Sequence, residues 1–124
     1  MKKRVLIIEN DQDIRQIVEF ILQEQGFETL SIPEPEELSE LVTFRAHLIL
    51  LDEFINNSPG HRLCRKIKNT PTLASIPVII LSTANDIELI AAECEANDHI
   101  RKPFDIDDMV NKVVRIVNHQ PLPY

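Results

Sequence analysis

Three short runs of apolar residues, each ending in a polar side chain, limit what this chain can fold into. Val5-Leu6-Ile7-Ile8 runs into Glu9-Asn10-Asp11, His47-Leu48-Ile49-Leu50-Leu51 into Asp52, and Val78-Ile79-Ile80-Leu81 into Ser82-Thr83. Leucine and β-branched residues without polar alternation read as strands buried on both faces. The carboxyl end of such a strand lies at the sheet edge where open α/β folds place their ligands. A fourth segment, Asp98-His99-Ile100-Arg101-Lys102-Pro103-Phe104, brings a lysine just before a proline. Acids, a hydroxyl and an amine are thereby expected on one rim, and that set suits phosphoryl chemistry on Asp52.

Between the strands the apolar spacing turns helical. Ile14, Ile17, Val18, Ile21 and Leu22 share one face, with Arg15, Gln16, Glu19 and Gln23 opposite. Asp11 or Asp13 can cap this helix at its start, and Gly26 can stop it. A second strand is expected over 27–31, and Pro33 and Pro35 are expected to introduce a helix carrying Leu38, Leu41 and Val42. Asn56-Asn57-Ser58-Pro59-Gly60 reads as a turn, followed by a helix through Leu63, Cys64 and Ile67. Pro71 and Pro77 bracket a loop. A shorter helix over 86–94, a strand over 97–100 and a helix through Ile106, Met109, Val110, Val113 and Val117 complete the chain. Residues 1–118 form one domain, and 119–124 are expected to fray.

Strands alternating with helices imply an α/β fold, a doubly wound five-stranded parallel sheet in a three-layer sandwich. Right-handed crossovers leave few topologies, the flavodoxin-like order 2-1-3-4-5 among them. In that order the first and third strands are neighbours, so Glu9, Asn10 and Asp52 meet where the winding reverses.

Composition excludes several functions. The 124 residues suffice for one domain, and a net charge of −7 opposes nucleic-acid binding, which needs a basic patch. No segment approaches the roughly 20 apolar residues that span a bilayer. The basic start Met1-Lys2-Lys3-Arg4 is followed by too short an apolar run for a signal peptide. Cys64 and Cys94 have no metal-ligand spacing and read as buried structural thiols in a reducing cytosol. A cytoplasmic protein with no membrane contact is expected.

The chain resembles the receiver domain of two-component response regulators over nearly its whole length. The matching residues are the acidic turn Glu9-Asn10-Asp11, the strand-end Asp52, Gly60, the hydroxyl of Ser82 and Lys102-Pro103-Phe104, in that order. The resemblance implies that Asp52 accepts a phosphoryl group from the phosphohistidine of a histidine kinase or phosphotransfer protein. It implies Mg2+ beside Asp52, held by Glu9, Asn10, Asp52 and the backbone carbonyl of Phe54. Lys102 and Ser82 would engage the phosphate, and His99 stands at the position of the switch aromatic that, with Ser82, reports the event to a downstream protein partner. A cis Lys102-Pro103 bond is implied as well. These roles suit phosphoryl transfer, whose loose transition state asks the protein mainly to position groups and balance charge.

The departures from the family pattern cluster around the metal. Glu9 is one methylene longer than the usual aspartate, and Asn10 offers an oxygen without charge, so Mg2+ should bind weakly. Phe54 and Ala84 occupy the positions that tune hydrolysis of the phosphoaspartate, and neither orients an attacking water. Thr83 is stiff where a very small residue is usual. His99 is titratable where the family has an aromatic ring. Glu95 replaces a usual glycine, and the stretch from Ser82 to Lys102 is slightly short. Glu34, Glu36, Glu37 and Glu40 form an acidic face, Val114 widens the apolar face of the last helix, and Phe20 lies near the family's kinase-docking face.

Two functions fit these residues. One is a phosphorylatable receiver acting as a binding switch, not an enzyme, and a monomer or weak dimer. The other is a pseudo-receiver that keeps the fold and binds partners without phosphorylation. A phosphatase of the haloacid dehalogenase type would need an acid where Phe54 stands. A flavin site would need a phosphate-cradling loop where Glu9-Asn10-Asp11 would repel phosphate.

Overall fold

Successive side chains of a strand point to opposite faces, so strands that are apolar throughout must be covered twice. The computed structural model, which describes residues 2–55 and 58–118, meets that requirement with helices on both sides of one sheet. Strand β1 (Arg4–Ile8) leads to α1 (Gln12–Glu24), β2 (Glu28–Ile32), α2 (Ser39–Phe44) and β3 (Leu48–Asp52). Two short strands, β4 (Phe54–Ile55) and β5 (Ser58–Pro59), precede α3 (Gly60–Lys68). Then come β6 (Val78–Ser82), α4 (Ile87–Glu93), β7 (Asp98–Arg101) and α5 (Ile106–Asn118). The main sheet is parallel in the order β2-β1-β3-β6-β7. Counting its own strands alone, this is the expected 2-1-3-4-5. Among the described residues no helix is long and apolar enough to cross a membrane.

Alternation within the apolar runs sorts the core into two halves. Val5, Ile7, Leu48, Leu50, Ile79 and Leu81 meet Val18 and Leu22 of α1 and Met109, Val113 and Val117 of α5. Leu6, Ile8, Ile49, Leu51, Val78 and Ile80 point the other way, toward Leu41 of α2 and Cys64 and Ile67 of α3. Each such side chain contributes about 1.5–3 kcal/mol through burial, so a one-residue slip of register would expose a whole row.

Some local expectations shift. Pro33 and Pro35 do not open a helix; α2 begins later, after Leu38, without a side-chain cap. A proline holds the residue before it in extended backbone, which keeps this stretch open. The segment around the expected turn forms a small antiparallel ladder, Phe54 opposite Pro59 and Ile55 opposite Ser58. Strands of two residues carry no periodicity to read. Asn56, Asn57 and the tail at 119–124 lie outside the described residues. His47 stands just before β3, where its Nδ1 accepts the Arg4 N–H at 3.0 Å. Burial, then the charges of Lys3 and Arg4, lower its pKa.

Two helices end in the same closure with different residues. At the end of α1, Gly26 has φ +91°, its N–H donates to Gln23 O at 3.0 Å, and the Phe27 N–H donates to Leu22 O at 3.1 Å. Phe27 and Leu22 then pack in one core, which completes a Schellman motif. At the end of α4, Glu95 takes the glycine position with φ 64°. Its N–H donates to Ala92 O at 3.2 Å and that of Ala96 to Ala91 O at 2.9 Å. A Cβ added at Gly26 would meet nothing within 4 Å, so only backbone conformation opposes a side chain there. Equilibrium urea unfolding is expected to show Gly26→Ala less stable by about 1 kcal/mol and Glu95→Gly more stable by about 0.5 kcal/mol.

Candidate functional site

Parallel register carries four strand ends to one edge. Ile8 pairs with Leu51, Asp52 with Leu81, and Ser82 with Arg101. Glu9 just past β1, Asp52 ending β3, Ser82 ending β6 and Lys102 just past β7 therefore share a rim. They line an open cleft of about 440 Å³ together with Asn10 and Thr83. Asp11, Ile14 and Glu53 complete the lining.

Lys102 organises the cleft. Its Nζ donates to Glu9 Oε1 at 2.9 Å and to Asp52 Oδ1 at 3.0 Å. The three side chains are 15 %, 6 % and 13 % exposed for Lys102, Glu9 and Asp52, so water screens them poorly. Two carboxylates around one ammonium leave a surplus negative charge. That charge is felt at Glu9, whose Oε2 is buried without a hydrogen-bond partner among the described residues. Burial, then the nearby Asp52, push the Glu9 carboxyl up to about 7 against the pull of Lys102. Burial acting alone would lower the pKa of Lys102, but its hydrogen bonds to Glu9 and Asp52 prevail and raise it.

An orphaned buried carboxylate oxygen beside a surplus charge is what a hard cation satisfies. The donor set fits one, though sparsely. Asn10 is exposed at the rim and brings no charge. Asp11 is occupied as the N-cap of α1, its Oδ1 accepting the Asp13 and Ile14 N–H groups at 2.9 and 3.1 Å. Among the described residues no three His, Cys, Asp or Glu side chains converge as a metal cluster. Phe54 lies in β4, next but one after Asp52, while its side chain lies outside the described residues.

The hydroxyl side of the cleft is pre-set. Ser82 is buried, and its Oγ accepts the Ala84 N–H at 2.9 Å, which leaves its own proton free to donate. The Lys102 N–H donates to Ser82 O at 2.8 Å, and the Lys102-Pro103 peptide is cis. Thr83 is exposed on the rim. His99 does not line the cleft. Its Nε2 lies 4.0 Å from Glu88, its Nδ1 lies 3.9 Å from Asp98, and its carbonyl accepts from Lys112 Nζ at 2.7 Å.

Three contributors escaped the sequence. Glu53 lines the cleft, Arg15 Nη1 donates to Glu9 O at 2.8 Å, and Arg101 Nη1 donates to Ala84 O at 2.8 Å. The two arginines brace the acidic loop and the hydroxyl loop from outside. The only signal for Glu53 was its place beside Asp52. Backbone contacts across loops leave no trace in spacing.

The Glu9 shift sets a pH dependence. Between the ordinary 4.5 and about 7 the folded state holds the extra proton, so stability falls as pH rises through that window. Above it, in chelated buffer, Glu9→Gln should be more stable than the parent by about 1–3 kcal/mol. At pH 4 the two should unfold alike; urea titrations at both pH values check this.

The response regulator receiver domain profile matches residues 5–114. Transcriptional regulatory protein CseB of Streptomyces avermitilis is 37% identical over 106 residues, 82% of this chain and 43% of that protein. The chain spans about half the length of the curated relatives it matches. The signal receiver domain of a histidine kinase from Syntrophus aciditrophicus is 27% identical with a TM-score of 0.83, over 98% of this chain and 99% of that one. The receiver domain of a sensor histidine kinase from Pseudomonas aeruginosa, solved with magnesium coordinated in its active-site cleft, shares the fold at 17% identity. Its TM-score is 0.84, over 95% of this chain and 99% of that one. Strand order, rim and profile agree, and the chain belongs to the response regulator receiver domain family.

Proposed function

We propose that this chain is a phosphorylatable receiver. Asp52 takes a phosphoryl group from the phosphohistidine of a histidine kinase or phosphotransfer protein, and a downstream protein partner reads the result. The observation that carries this reading is Lys102 Nζ bridging Asp52 and Glu9 at the edge of an open cleft. In the transfer, an Asp52 carboxylate oxygen forms the new P–O bond as the P–N bond to the donor imidazole breaks. The imidazole leaves with the electron pair and takes up a proton. Lys102 pairs with the phosphoryl oxygens, and Ser82 donates to one of them. A switch through His99 completes the module, which has no catalytic turnover of its own, no nucleic-acid contact and a cytoplasmic setting.

Magnesium, when bound, would offset the charges of nucleophile and donor, with Glu9, Asn10, Asp52 and the Phe54 carbonyl as its ligands. The orphaned Glu9 Oε2 supports that assignment. Neutral Asn10 makes the binding weak, and Phe54 and Ala84 leave the phosphoaspartate without a residue to orient water. The sparse donor set also favours a second reading, a pseudo-receiver that binds its partner unmodified.

Acetyl phosphate with and without magnesium, followed by intact mass, separates the two. A magnesium-dependent phosphoryl adduct, absent in Asp52→Ala and slow to decay, is the expected outcome. No adduct at saturating magnesium would sink the phosphorylatable reading. Asn10→Asp should lower the magnesium needed for half-maximal labelling by about tenfold, because it restores a charged oxygen ligand.

A further inference from the structure

Cys64 of α3 and Cys94 at the end of α4 are 30 residues apart in the chain and in contact in the fold. Cys64 Sγ donates to Cys94 O at 3.4 Å, and Cys94 Sγ donates to Ala91 O at 3.6 Å. Both are buried, yet a cavity of about 180 Å³ reaches Cys94, lined also by Arg65, Lys68, Asn69, Glu93 and Glu95. Lys68 is fixed there, its Nζ donating to Ile76 O at 2.9 Å and Asn97 Oδ1 at 2.8 Å.

This setting makes the two sulfurs unequal. The neighbouring Cys64 side chain draws the Cys94 thiol down to about 7, with burial opposing and Arg65 assisting. The Cys94 side chain, then burial, push the Cys64 thiol up. The cavity is lined by Cys94 and not by Cys64, so Cys94 is the thiol a small oxidant meets first, and its lowered pKa suits it to act as the nucleophile. The cavity admits a small polar molecule, and hydrogen peroxide is of that size.

We propose that Cys94 is a peroxide-reactive thiol and Cys64 its resolving partner, the two closing a disulfide between α3 and the end of α4. Cys94 thiolate attacks one oxygen of a hydroperoxide; the S–O bond forms as the O–O bond breaks, and the leaving hydroxide or alkoxide takes a proton. Cys64 sulfur then attacks the Cys94 sulfenic acid, the S–S bond forms, and hydroxide leaves with the Cys64 proton as water. Two thiols are oxidised, and the hydroperoxide is reduced to water and, for an organic one, an alcohol. The crosslink would tie α3 to the corner where Glu95 turns the chain into β7. It involves neither Asp52 nor its cleft.

Freshly reduced full chain is treated with stoichiometric hydrogen peroxide at neutral pH, and intact mass is read without reductant. The expected product has lost two hydrogen masses, and a non-reducing peptide map joins the Cys64 and Cys94 peptides. Cys64→Ser should stop at a sulfenic acid trapped by dimedone, and Cys94→Ser should react about tenfold more slowly with peroxide. Serine in a core can unfold a chain, so the wild-type map decides by itself. Intermolecular dimers only, or two thiols that alkylate fully after treatment and unfolding, would overturn the proposal. Asp52→Ala should form the disulfide as the parent does, which keeps this test separate from that of phosphorylation.

Discussion

A parallel sheet has no face to spare for water, and most of this molecule follows from that. The same strands that fill the core with Val5 to Ile8, Leu48 to Leu51 and Val78 to Leu81 must end somewhere. Because they run in one direction, they end together. Polar residues become affordable only past the last buried position, where Glu9, Asp52, Ser82 and Lys102 stand. The site is the place where the apolar requirement lapses on neighbouring strands at once.

At that rim, electrostatics takes over from packing. One ammonium between two poorly solvated carboxylates fixes the position of Asp52 and leaves Glu9 under-compensated. A buried group that lacks a partner destabilises the resting state and favours whatever brings positive charge. A hard cation is such a visitor, and an incoming phosphoryl group would compete for Lys102. The backbone braces from Arg15 and Arg101 hold the flanking loops.

Much of this was legible in the residues. The doubly wound parallel sheet followed from alternating apolar runs and helical faces, with the order 2-1-3-4-5 one of the few they left, and the rim followed from the polar residue ending each run. Asp11 as a helix cap and the cis peptide before Pro103 also stood as expected. Less was visible where a feature depends on a neighbour distant in the chain. The late start of α2 reflects proline's hold on the preceding backbone, and a two-residue ladder such as β4 with β5 is too short for any pattern. Glu53, Arg15 and Arg101 act through cleft geometry or main-chain contacts that no spacing rule encodes.

Cys64 and Cys94 mark the boundary most clearly. By type and spacing they are two ordinary buried thiols, and only the packing of α3 against the end of α4 makes them a pair. Likewise Glu9 is an acid at a strand end in the sequence, and its raised pKa arises from burial beside Asp52. Periodicity and local turn chemistry determined the elements, their order and the polar residues at the rim, because those depend on neighbours along the chain. Tertiary structure decided which of those polar groups share one ammonium, which is left without a partner and which two cysteines become neighbours, because such energies depend on distance and solvent exclusion in space.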